Sequence, residues 1–138
     1  MKPATTPPKY AREWISAGYT CHMHGGQETA WIEPVYEQRE DVSAKVMNIT
    51  DGLTLGFRYL QFGLNTPKSI TLVMNTEART AVSVRLDTPG GREIAWLEAE
   101  GGEVTVPLKS GVTGKHAVYF VFNLPEGKAE MDRFTFDD

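Results

Sequence analysis

The sequence predicts an all-β domain, a β-sandwich of jelly-roll type made of two antiparallel sheets. Three observations carry this. Apolar and polar residues alternate with a period of two over most of the chain, as in Leu53-Thr54-Leu55-Gly56-Phe57-Arg58-Tyr59-Leu60 and Ile70-Thr71-Leu72-Val73-Met74. Turn-forming residues interrupt that alternation at intervals of roughly ten residues, the spacing of sandwiches and barrels. No segment shows a sustained helical stripe; Tyr36 to Ala44 has helix-compatible charges but too few spaced apolar residues, and reads as a long loop or a polar strand.

Taken in order, Met1 to Lys9 holds Pro3, Pro7 and Pro8 among Thr and Ala and lacks the apolar centre of a signal peptide. It reads as a linker or tail (1–9) ahead of one sandwich domain (10–138). Trp14 to Tyr36 is the least regular stretch, and its loops are where function is expected. Further strands fall at Ala81 to Leu86, Glu93 to Glu98, Glu103 to Leu108, Ala117 to Phe122 and Glu130 to Phe136. The punctuation between them is Asp51-Gly52, Asn65-Thr66-Pro67, Pro89-Gly90-Gly91, Gly101-Gly102, Gly111 to Gly114 and Pro125-Glu126-Gly127. Glycine supplies positive φ at such turns, and proline presets φ at their first central position.

At 138 residues the chain suffices for a single core without disulfide or metal staples. A formal charge of −4 with scattered Lys and Arg gives no basic footprint, which argues against a nucleic-acid partner. No run approaches the ~20 apolar residues that span a bilayer. The lone Cys21 has no internal disulfide partner and is expected to be a buried, inert thiol.

Some side chains carry chemistry. His22 and His24 flank Met23, so on a strand both rings face one way; zinc would need a third and a fourth donor, and no other His or Cys stands at suitable spacing. His116 opens a strand after a glycine turn and should bond a neighbouring loop. Phe120, Phe122, Phe134 and Phe136 share inward strand faces as inter-sheet core. Trp14 reads as core, or as packing against a parent domain. Trp96 shares its side with Ile94 and Glu98, with Ala95 and Leu97 opposite, and is either core or an exposed sheet-face platform. Nothing singles out a catalytic pair of carboxylates, and no Ser-His-Asp order or phosphate loop is present.

Several motifs, in order, resemble a known family. Val46-Met47-Asn48-Ile49-Thr50-Asp51-Gly52 looks like an early strand with its turn, and Val84-Arg85-Leu86-Asp87-Thr88-Pro89-Gly90-Gly91 is similar to a hairpin of that family. Leu55 to Gly63, then Gly111 to His116, Tyr119 to Phe122 and Met131 to Phe136, complete the set. Together they resemble a family 6 carbohydrate-binding module, of the type appended to family 43 glycoside hydrolases.

The resemblance implies a galactose-binding-like jelly roll and a structural calcium; Glu13 and Asp132 fall on the ligand positions, while Ala11 replaces a first carboxylate. Calcium collects six to eight oxygens, so two carboxylates are part of a set. The resemblance also implies a sugar site at one edge of the sandwich. This chain departs at its usual aromatic and Asn positions, with Asn48, Glu103 and Glu130 instead. Trp31 or Tyr36 from the early loop would then supply the flat ring, or Trp96 would do so on a sheet face. The implied role is non-catalytic: binding polysaccharide or oligosaccharide of the plant cell wall (xylan, arabinan or a related glycan) for the catalytic domain of a parent enzyme, in an extracellular setting. The alternatives are a structural accessory domain packed on a family 43 catalytic domain without a ligand, and a stand-alone jelly-roll enzyme or lectin.

Overall fold

The strands follow the alternation. The computed structural model describes residues 9–34 and 44–138. In chain order the first strands are β1 (Lys9–Tyr10), β2 (Ile15–Ser16), β3 (His22–His24), β4 (Trp31–Pro34), β5 (Ala44–Ile49) and β6 (Thr54–Gln61). Then come β7 (Ser69–Thr76), β8 (Thr80–Leu86), β9 (Glu93–Ala99), β10 (Gly102–Pro107), β11 (Lys115–Asn123) and β12 (Ala129–Asp137). A single 3-10 turn, Ala17–Tyr19, is the only helical piece among the described residues.

Among the described residues two six-stranded sheets result. The first runs β1-β6-β11-β8-β9, with β3 also beside β6; the second runs β10-β7-β12-β5-β4, with β2 also beside β12. All pairings are antiparallel except β1 with β6, where Lys9 and Tyr10 run parallel to Leu60 and Gln61. The sandwich expected from the sequence is therefore present, with one parallel pair at an edge.

Inward-facing residues of the two sheets meet in one core. Leu55, Phe57, Phe120 and Phe122 come from the first sheet, and Ile70, Leu72, Phe134 and Phe136 from the second, all essentially inaccessible to water. Phe134 lies tilted on Phe120, 4.8 Å between centroids, and two ring pairs pack edge to face, Phe134 on Phe57 and Phe136 on Phe62, each at 4.9 Å. That geometry sets the positive edge of one ring against the negative face of the next. A bulge in β12 keeps both halves of the strand aligned with this core. Met131 pairs with Met74 and Arg133 with the adjacent Val73, leaving Asp132 as the extra residue.

Three readings need correction. Ile94 is fully buried rather than sharing a side with Trp96, because a register shift between Val84 and Arg85 turns both Ile94 and Ala95 inward. Cys21 is exposed: it sits just before the edge strand β3, its thiol 3.3 Å from the Gly56 carbonyl oxygen. For Trp14 only the core alternative falls: the indole is half-exposed and lies under the Arg133 guanidinium, 4.7 Å from it. The segment Tyr36 to Ala44 falls outside the described residues up to 43, and most of the 1–9 tail does as well.

The histidines stand as the sequence predicts. His116 bonds loops, through Asp87 at 3.0 Å and the Thr113 carbonyl at 2.8 Å. His22 and His24 face one way, their rings 6.0 Å apart, and His22 packs edge-on against Tyr119 at 5.7 Å. Gly56 makes this possible, since a Cβ there would stand 2.6 Å from the Tyr119 ring. Among the described residues no three His, Cys, Asp or Glu side chains gather as a metal site.

The outer side of the first sheet holds a charge cluster with a readable pH dependence. Glu93 receives hydrogen bonds from Lys109 and Ser83, and Arg85 lies 3.5 Å away. Burial alone would push its carboxyl up; the bonds from Lys109 and Ser83 and the nearby positive charges outweigh this and hold it below the usual range. A depressed folded value stabilises the fold above the unfolded carboxyl's pKa, and the benefit disappears as pH falls through the folded value. Wild type should therefore melt above Glu93→Gln at neutral pH, and the gap should close in strong acid. A gap that stays constant with pH would contradict this assignment.

Candidate functional site

One end of the second sheet's outer side gathers polar side chains around an indole. On β5, Val46 is buried in the core, so its neighbours Lys45 and Met47 point outward. Trp31 is paired with Met47 across β4 and β5, which puts the indole on that same outer side, 48% exposed. Asn48 follows with φ 60°, a left-handed conformation that Asn tolerates better than most residues. Its side-chain amide donates to the Thr29 carbonyl at 3.0 Å, tying β5 to the loop before β4.

Across the sheet, Glu130 on β12 is in register with Asn75 on β7. The Glu130 Oε1 atom accepts from Lys45 Nζ and from Asn75 Nδ2, each at 3.2 Å. This places one carboxylate in a fixed orientation between a cation and an amide. The far wall is the pair of turns at Glu77 and Lys128. Glu77 N–H donates to the Lys128 carbonyl at 3.0 Å, and its carboxylate accepts from the Lys128 N–H at 2.7 Å. The Lys128 ammonium is drawn aside to Glu28, 3.2 Å away. Between these walls lies an open groove of about 430 Å³, lined by Trp31, Met47, Asn48, Asn75, Glu77 and Glu130 among others.

The groove has one flat apolar face and several planar polar groups. That combination suits a polyhydroxylated ring, whose C–H bonds pack on an indole while its hydroxyls pair with amides and carboxylates.

Of the residues singled out from the sequence, Trp31, Asn48 and Glu130 are brought together here. Glu103 is not: it stands exposed on β10 opposite Val73, clear of the groove lining. Trp96 lies on the outer side of the other sheet, half-exposed on the edge strand β9. Tyr36 falls outside the described residues.

Glu13 and Asp132 do not converge. Ser16 pairs with Arg133 and Ile15 with Phe134, while the Phe136 N–H donates to the Ala11 carbonyl. Glu13 therefore sits in a turn beside the last part of β12, with Asp132 beyond the other end of β2. This pair does not fit a shared calcium ion.

Lys45, Asn75, Glu77 and Lys128 were not anticipated. A signal for Asn75 existed: it alternates outward after the inward Leu72 and Met74.

No family model matches the chain, and neither does any curated protein sequence. Solved structures do. A family 6 carbohydrate-binding module of Clostridium stercorarium, in complex with cellobiose, matches with TM-score 0.80 and 19% identity, over 97% of this chain and 99% of that one. A family 6 module of Clostridium cellulolyticum, in complex with xylose, gives TM-score 0.76 and 22% identity over 94% and 100%. A family 43 arabinoxylan arabinofuranohydrolase of Bacillus subtilis, in complex with cellotetraose, gives TM-score 0.81 and 18% identity over 96% of this chain and 28% of that longer one. The chain thus has the fold of a family 6 carbohydrate-binding module, one that also occurs within a family 43 hydrolase chain.

Proposed function

We propose that this chain is a non-catalytic carbohydrate-binding module whose sugar site is the groove beside Trp31. The observation that carries the reading is the convergence of Trp31, Asn48 and Glu130, three residues far apart in sequence, on one open groove. The indole offers a stacking face. Asn48, Asn75 and Glu130 offer planar hydrogen-bonding groups already oriented by the sheet, so little ordering is lost on binding.

Solved modules of this fold hold cellobiose and xylose. A plant cell-wall glycan such as xylan, arabinan or a β-glucan is accordingly the ligand class we assign. With one ring among the described residues to stack on the sugar, affinity should be weak, with Kd of roughly 0.1–1 mM. Weak sites serve well when tethered: an attached glycoside hydrolase would gain effective concentration on its polymer without tight binding. An extracellular setting follows from that substrate.

Affinity electrophoresis and calorimetry against xylan, arabinan, β-glucans and their oligosaccharides test the proposal. Retarded migration on at least one glycan, with saturable heats on its oligosaccharides, is expected. Indifference to every glycan would overturn it in favour of a structural accessory domain. Release of reducing sugar by the chain alone would overturn the non-catalytic part.

A further inference from the structure

Arg12 lies in the turn between β1 and β2, and oxygens from two other segments meet its guanidinium. Nε and Nη2 donate to the two oxygens of the Asp138 carboxylate, each at 2.9 Å. Nη2 also donates to the Asn65 carbonyl at 2.7 Å, and Nη1 donates to the Phe62 carbonyl. Both carbonyls belong to the connection between Gln61, where β6 ends, and Ser69, where β7 begins, so neither is part of a strand. Four oxygens thus surround one positive charge.

Carboxylate and main-chain carbonyl oxygens are the donor set that a hard cation such as calcium collects. Here the charge arrives on a side chain. The guanidinium fork matches the carboxylate with two parallel bonds and still reaches both carbonyls, a geometry that a lysine ammonium does not reproduce. The partners respond as such a pair should. The hydrogen bond from Arg12 holds the Asp138 carboxyl below its usual range, and the same bond raises Arg12.

We propose that Arg12 is a built-in cation. Its guanidinium fills an oxygen cage at the meeting point of the opening turn, the β6–β7 connection and the end of β12, and it joins these segments with no metal ion. This accounts for the misfit of Glu13 and Asp132 as calcium ligands: the joint between the opening segment and the last strand is held by a different charge.

Removing the side chain should leave an empty cage that takes free guanidinium. Arg12→Gly is expected to melt roughly 5–10 °C below wild type. Low-millimolar guanidinium chloride should recover part of that loss, beyond the effect of equal sodium chloride, and should not raise the wild-type midpoint. Chelator should leave the wild-type midpoint unchanged. Melting of Arg12→Gly at the wild-type midpoint, no recovery specific to guanidinium, or a wild-type midpoint lowered by chelator would each overturn the proposal. Should Arg12→Gly fail to fold, Arg12→Lys and Asp138→Asn read the same cage. Asp138→Asn should then lower the midpoint less in the Arg12→Lys background than in wild type, and equal losses in both backgrounds would overturn the idea.

Discussion

Trp31→Ala is expected to abolish retardation on whichever glycan the wild-type chain recognises, weakening binding at least tenfold, or by about 1.4 kcal/mol or more. Among the described residues the indole is the only aromatic wall of the groove, and it is already half-exposed, so its removal deletes the stacking face without opening the core. Backbone pairing of β4 with β5 does not depend on the side chain, so the melting midpoint should hardly move. That combination, lost binding with retained stability, separates a ligand-stacking role from a packing role. Trp96→Ala is the matched control. It removes an equally exposed indole from the opposite side of the sandwich and should leave retardation intact. Retardation lost with Trp96→Ala but kept with Trp31→Ala would move the sugar site to the first sheet.

Phe134→Ala should be the most destabilising of the substitutions considered, costing about 3–5 kcal/mol. Phe134 lies within 6.1 Å, centroid to centroid, of three other rings, Phe57, Phe120 and Phe136, and joins the two sheets at the middle of the core. Its removal creates a cavity bounded by side chains already locked in strands, which cannot collapse into the gap. Single domains typically have only about 5–15 kcal/mol of stability in all. The urea midpoint should therefore fall steeply while the slope of the transition stays the same. A loss below about 1 kcal/mol would mean that the aromatic cluster is not the centre of cohesion.

Legibility in the sequence followed burial. β7 was readable because Ile70, Leu72 and Met74 face the core while the intervening residues do not, so its two faces differ chemically. β4 was not, because all four of its residues are exposed and no alternation marks it. Strict alternation puts Ile94 on the wrong side because a bulge leaves no mark in the period-two pattern.

At the groove, Asn48 and Glu130 are legible through the resemblance, and Trp31 as a ring from an irregular loop. Lys45 and Asn75 look like ordinary surface polar residues until the register sets both against Glu130. Arg12 was the least legible of all. A charge in a turn reads as solvated, and its acceptors lie 50, 53 and 126 residues away.

The bulge in β12 has an evolutionary corollary. Because Met131 and Arg133 oppose consecutive residues of β7, Asp132 is a spare step in the ladder. Its deletion would leave Glu130 toward the groove and Phe134 toward the oily interior. Losing Thr135 instead would put the strand out of phase and turn one end inside out. Length variation in homologous last strands should therefore concentrate at the Asp132 position, where an indel is geometrically silent.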